Sequence, residues 1–307
     1  MLKEARAIVG RLRRVAKARL APTPALTNTE YWTSYNVTSH RQFASREESL
    51  NDLRWRNAQY LFYDELMPCS GHDSKVILDY GCGPGHDLVG FYEFSNPARL
   101  VGADISPASL KETRERLQLH GGDSVELVQL EEDKPRLPFE DGTFDYIHSS
   151  GVIHHTPNPS AILKEFRRTL KPSGTARIMV YNYHCIWLHL FVAYERRIVR
   201  KMDAGLPLEE SFKRSTDTEE CPISRWYRPE EFLQLCSGSG FTGKLAGCAI
   251  SINEMEILPK RYQALRDLAL PDEHREFLHG LTFDGYGRPL WKSHVAGIDA
   301  VYELGPA

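Results

Sequence analysis

The chain has 307 residues, 41% hydrophobic and 26% charged, with 22 glycines and 18 prolines spread without period. That composition excludes collagen-like, low-complexity and disordered chains, and leaves enough apolar material for one elaborated α/β-type domain. A net charge of −3 argues against a generally basic nucleic-acid binder, so no nucleic-acid partner is expected. The six cysteines form no CxxC pair, and no leader pattern precedes them; they predict reduced thiols in a cytosolic setting and no metal site.

Residues 1–20 carry seven basic side chains against one acid, a local charge of +6. Apolar residues recur there every three to four positions, which predicts a basic amphipathic helix. The readings stand side by side: peripheral contact with an anionic membrane or an Arg-rich targeting segment, against a helix docked on its own domain or on a partner subunit. Ala21–Pro24 ends this segment, so residues 1–22 are expected to be helix and linker. Residues 23–74 are expected to form a helical cap. Tyr31–Asn36 is an aromatic, polar loop, and Ser45 with Glu48 makes a capping box that opens a helix running to about Met67. The stretch Cys185–Tyr194 is the longest apolar run and roughly half a membrane span, so no transmembrane helix is expected.

From residue 75 to 307 short β-branched runs alternate with helical patterns. Strands are predicted at 76–80, 100–104, 125–130, 144–149 and 176–181, with helices at 109–119 and 160–170 between them. Such alternation predicts a mostly parallel sheet with helices on both faces. It pauses for insertions at 183–226 and 251–293. Between and after these come a helix at 229–236 and strands near 244–250 and 295–304.

The first strand runs into Asp79-Tyr80-Gly81-Cys82-Gly83-Pro84-Gly85, a GxGxG turn in which backbone N–H groups can approach a cofactor. Cys82 reads as a small packing residue within it. Asp104 ends the second strand 19 residues after Gly85, where an acid can accept hydrogen bonds from ribose hydroxyls. The fourth strand ends at Ser149-Ser150-Gly151-Val152-Ile153-His154-His155. Imidazoles at the carboxyl end of a strand are candidates for a general base, and the sequence does not separate His154 from His155. The fifth strand ends at Tyr181-Asn182-Tyr183-His184, with Tyr181 and His184 next in line as bases. Substrate contacts are expected from Tyr31 and Tyr35 in the N-terminal loop, and from Asn182, Trp187 and Arg225 in the first insertion.

LDYGCGPG (78–85), VGADIS (101–106), LPFEDGTFDYIHSSGVIHHTPNP (137–159) and LKPSGTARI (170–178) together resemble the successive motifs of class I S-adenosylmethionine-dependent methyltransferases. The likeness is to the small-molecule branch that includes quinone-type and natural-product enzymes. It is strong over 75–182 and extends over 227–304 only as topology. The resemblance implies a seven-stranded Rossmann-like sheet with an antiparallel last strand, and S-adenosylmethionine as cofactor. It implies that Gly81, Cys82, Gly83 and Gly85 wrap the methionine moiety, with Ser150 beside it, and that Asp79 holds its ammonium. Asp104 and Ile105 would flank the ribose, and one of Glu131 or Asp133, ahead of Glu132, would receive the adenine amino group. The implied activity is methyl transfer to a small-molecule or glycan- or lipid-linked acceptor, at a hydroxyl oxygen. The alternatives are C- or N-methylation of a quinone-like or aminated compound, or a non-catalytic nucleoside- or partner-binding module of the same fold.

Overall fold

The computed structural model describes residues 25–35, 40–203 and 205–307. The expected helix at 1–20, its linker and Asn36 lie outside the described residues. Among those described, no helix is long and apolar enough to cross a membrane.

The chain opens with α1 (Asn28–Ser34), α2 (Arg46–Ala58), β1 (Tyr60–Leu61) and α3 (Tyr63–Leu66). Two sequence expectations are corrected here. Tyr31–Ser34 is helical, because Thr27 and Glu30 form a reciprocal capping box that starts α1. The helix opened by Ser45 stops at Ala58, not Met67. Tyr60 and Leu61 instead pair antiparallel with Ser251 and Ile250, and Phe62 turns the chain in a left-handed conformation.

The central layer follows: β2 (Val76–Tyr80), α4 (His86–Phe94), β3 (Arg99–Asp104), α5 (Pro107–Leu119), β4 (Glu126–Gln129), β5 (Phe144–Ser150), α6 (Pro159–Thr169) and β6 (Leu170–Tyr181). β2 and β3 are buried over nearly their whole length, as apolar strands covered on both faces must be. After β6 come a π-helical segment (Trp187–Val199), α7 (Leu208–Thr216), α8 (Pro229–Ser237), β7 (Phe241–Ser251), α9 (Ile252–Ile257), α10 (Arg261–Arg266) and α11 (Asp272–Gly280). Three short strands, β8 (Thr282–Phe283), β9 (Pro289–Trp291) and β10 (His294–Val295), form a small antiparallel sheet. β11 (Asp299–Pro306) closes the chain.

The main sheet has the order β1-β7-β11-β6-β5-β2-β3-β4. β11 runs antiparallel to both β6 and β7, between them. The Rossmann-like architecture expected from the sequence is present, with one difference: β1 adds an eighth strand at the edge. The two insertions share a core of their own. Ile186, Leu190 and Tyr194 of the first pack against Ile257, Phe277 and Leu278 of the second.

Candidate functional site

A cavity of about 830 Å³ opens where β2, β3, β5 and β6 end and β11 begins. Ligands of open α/β sheets gather at this carboxyl edge. α1, α2 and the turn into α9 roof it.

On one side stands the glycine loop. Gly81, Cys82 and Gly83 line the cavity, and Gly81 adopts φ +76°, with Val152 packed where a Cβ would be. Gly85 does not line it. It caps α4 at φ +81°, and a Cβ there would stand 2.8 Å from the Thr113 side chain of α5, so this glycine serves helix packing. Asp104 and Ile105 are on the wall. Asp104 Oδ2 accepts from the Gly83 N–H at 2.9 Å and Oδ1 from the Ser106 N–H at 2.8 Å. Burial raises its pKa, and these backbone donors oppose the shift. Asp79, next to the loop in sequence, does not itself line the cavity; it is 2% exposed, and its Oδ2 has no partner among the described residues. Burial pushes its pKa up to about 7, against the nearby His148.

Of the three acids near the adenine position, Glu132 accepts from the Asn28 and Thr29 N–H groups and the Thr29 hydroxyl, so it anchors α1. Glu131 pairs with Lys134 at 2.7 Å, and Asp133 carries no side-chain bond among the described residues.

Ser150 is on the wall, its Oγ 2.7 Å from the Tyr63 hydroxyl. That hydroxyl also donates to Asp87, which accepts from His148 at 3.2 Å and is paired with Arg56. Burial would raise the Asp87 pKa, but Arg56 and His148 hold the carboxyl far below the usual range. Arg56, Tyr63 and Asp87 all line the cavity. This network was not found in the sequence.

The two histidines part company. His154 is fully buried and off the wall, stacked 3.9 Å from the Tyr181 ring, and neither ring nitrogen has a partner among the described residues. Burial holds its pKa well below the ordinary value. That placement corrects its candidacy as a base, since the ring does not reach the cavity. His155 does reach it. Its Nδ1–H donates to the Ile223 carbonyl at 2.7 Å, which leaves Nε2 facing Asp217 at 3.5 Å. Asp217 also accepts from the Tyr181 hydroxyl at 3.3 Å, and the Cys221 thiol converges on the same point. Tyr181 lines the cavity beside His155.

Five further expectations are corrected. Asn182 follows Tyr181 in a pleated strand and so points the other way, where its amide brackets the His184 and Gly297 carbonyls. His184 borders a separate cavity of about 430 Å³ and stacks on Phe277 and Trp291. The Trp187 indole donates to Ser215 at 3.0 Å within the insertion. Arg225 holds the Thr156 carbonyl at 2.6 Å. The Tyr31 ring is buried, its hydroxyl accepting from Thr218 at 3.2 Å. Its neighbours Trp32 and Tyr35 face the cavity instead, joined by Trp55, Tyr60, Met179 and Asp299, none of which except Tyr35 was singled out from the sequence.

Residues 71–221 match a family described as a methyltransferase domain. The chain is 29% identical over 184 residues to the 2-methyl-6-phytyl-1,4-hydroquinone methyltransferase 2 of Oryza sativa subsp. japonica, covering 59% of this chain and 51% of that protein. It is 31% identical over 137 residues to the sterol 4-C-methyltransferase strm-1 of Caenorhabditis elegans, covering 44% and 37%. The chain thus spans about half or less of the length of these curated relatives. The solved structure of a geranyl diphosphate C-methyltransferase from Streptomyces coelicolor A3(2) shares its fold: TM-score 0.52, 14% identity, 94% of this chain and 100% of that one covered. Four motifs in order, a sheet whose last strand inserts antiparallel, and a family match over the same stretch agree: residues 71–221 form a methyltransferase domain of the class I S-adenosylmethionine-dependent kind.

Proposed function

We propose that this chain transfers the methyl group of S-adenosylmethionine to a small-molecule acceptor bearing a hydroxyl group. The observation that carries the reading is one cavity lined by two unlike sets of groups. The glycine loop, Asp104 and the acids 131–133 line it, and so do the aromatic side chains of Trp32, Tyr35, Trp55, Tyr60 and Tyr181.

The cofactor fits the first of these sets on structural grounds: a loop free of Cβ atoms at Gly81 and Gly83, and a buried Asp79 oxygen left without a partner. Gly81 and Gly83 would pack against the methionine moiety, Asp79 would balance its ammonium, and Asp104 would accept from the ribose hydroxyls. Glu131 or Asp133 would receive the adenine amino group. The bound cofactor supplies an electrophilic methyl on a sulfonium. The protein then aligns the acceptor for in-line attack and excludes water. A hydroxyl acceptor also loses a proton, and His155 is the imidazole on this wall that would take it at Nε2, the nitrogen that also faces Asp217 at 3.5 Å, whose carboxylate would stabilise the imidazolium.

Carbon methylation is the second reading, favoured by the names of the hydroquinone and sterol relatives. Calorimetry and product mapping separate these outcomes. S-adenosylhomocysteine should bind and NAD should not; the reverse result overturns the proposal. Mass spectrometry of turnover on hydroxylated ring compounds then locates the added methyl on oxygen or on carbon. For oxygen transfer, His155→Ala should lower turnover by roughly 10²-fold with cofactor affinity unchanged.

The +6 charge of residues 1–20 supports a further proposal, peripheral contact with anionic membrane. Sedimentation with anionic vesicles should fall on deletion of residues 1–22 and at high salt; equal sedimentation of both forms overturns it.

A further inference from the structure

Asp299 begins β11 and faces the cavity, 3% exposed. It has no hydrogen-bond partner among the described residues. Its neighbour in space offers the contrast. Glu254, equally buried, accepts from the Ser251 N–H and hydroxyl, from the Ile298 N–H and from the Trp187 N–H. Glu254 is a bracket that ties α9, β11 and the π-helical segment together. Asp299 ties nothing. Tyr60 stands on the same wall, close enough for the Asp299 carboxyl to raise its pKa.

A carboxyl that opens onto a cavity with no hydrogen bond to the protein around it is free to bond a ligand there. Its position says what could use it. Asp299 is in register with Tyr181 of β6, and β6 in turn pairs with β5. Two strand spacings, about 10 Å, separate Asp299 from the Ser150 end of β5. The glycine loop and Asp104 lie further away still, beyond β5 on β2 and β3. Asp299 is therefore on the acceptor's side of the cavity, too far along the sheet to meet the cofactor's ribose or adenine. Burial pushes its pKa well above the ordinary carboxylate value, with the Glu254 carboxyl adding to the shift. In that neutral form the group can donate to and accept from one hydroxyl at once.

We propose that Asp299 anchors the acceptor, hydrogen-bonding a hydroxyl that the acceptor carries on the side away from the atom receiving the methyl. The Tyr60 hydroxyl completes the same contact. This rests on the methyl-transfer reading and deepens it: the acceptor is a ring or short chain with two polar ends, one at the transferred methyl and one at Asp299.

The test uses the full chain saturated with S-adenosylhomocysteine, and compares 2-methylhydroquinone with 2-methylphenol and 3-methylphenol by calorimetry. Wild type should bind the diol at least tenfold more tightly than either monophenol. Asp299→Ala should erase that preference, and Asp299→Asn, whose amide also donates and accepts, should keep most of it. Cofactor-product affinity should be the same in all three proteins. The melting temperature should not fall, since the substitution removes no hydrogen bond within the protein. The proposal is overturned if wild type shows no preference for the diol, if Asp299→Ala keeps it, if Asp299→Asn loses it, or if either variant melts lower. Failure of wild type to bind S-adenosylhomocysteine at all would instead strike the cofactor reading.

Discussion

Asp79 and Asp104 lie at the carboxyl ends of adjacent strands, Asp79 one residue before the end of β2, and their carboxyl groups live differently. Asp104 has backbone donors on both oxygens, which fix its orientation before any ligand arrives. Asp104→Ala should weaken S-adenosylhomocysteine at least tenfold in calorimetry, because each charge-assisted bond to a ribose hydroxyl contributes about 1.5–3 kcal/mol. Asp79 lacks such donors, and its pKa is pushed up to about 7 by burial. An unfolded aspartate titrates near 4, so ionising Asp79 in the empty protein destabilises it as pH rises from about 4 towards 7. A ligand ammonium beside it favours the ionised form. Binding of S-adenosylhomocysteine should therefore release a proton near neutrality and tighten as pH rises through about 7, and Asp79→Asn should flatten that profile. Calorimetry in two buffers of different ionisation enthalpy measures both. Both aspartates were legible in the sequence because each lies at the carboxyl end of a strand, at a fixed offset from the glycines. Asn182 and His184 were not, because a residue's face depends on pleat and on local turns that the sequence pattern leaves open.

Helix α2 is latched to α4 by buried polar contacts. Arg56 pairs with Asp87, and Asp52 meets His86 at 2.9 Å. Arg56→Ala leaves the Asp87 charge buried with only His148 and Tyr63 to satisfy it, and should destabilise the fold by about 3–5 kcal/mol at pH 7 in urea titrations. Asp87 has a depressed folded pKa, so its contribution is present above the unfolded value near 4 and is lost only as pH falls well below it. The penalty of Arg56→Ala should thus be nearly constant from pH 5 to 8. Gly85→Ala places a Cβ in a left-handed conformation and against Thr113, and should cost about 1–3 kcal/mol through the α4–α5 contact. At this scale the helices between strands were readable from period and caps. α1 was missed although Thr27 and Glu30 already carry its capping signal. The polar latch was invisible, since its partners lie 31 residues apart in sequence.

Across the whole molecule, the sheet divides at β5. The β2–β3–β4 half and its helices come from one unbroken stretch, residues 76–129, and that stretch carries the glycine loop, Asp79 and Asp104. The rest of the cavity wall draws on the N-terminal cap, the turn into α9 and the start of β11, which only the fold brings together. This is why the cofactor side was readable from motifs while Trp55, Tyr60 and Asp299 were not. The insertions gave no sign that they pack on one another, because neither carries a strand or glycine pattern pointing to its partner. The position of β11 has a further consequence for how the chain acquires its structure. β7 does not pair with β6; β11 stands between them. Until β11 is in place, β7 has only the two-residue β1 to pair with in this sheet. Pairing across such separations is slow, whereas local strand–helix–strand contacts form early. Pulse-labelled hydrogen exchange during refolding should therefore protect the β2 and β3 amides before those of β7 and β11. A ribosome-bound chain that has not yet exposed β11 would hold the glycine-loop half of the sheet complete and the opposite wall of the cavity open, so the arrival of β11 is what finishes the cavity.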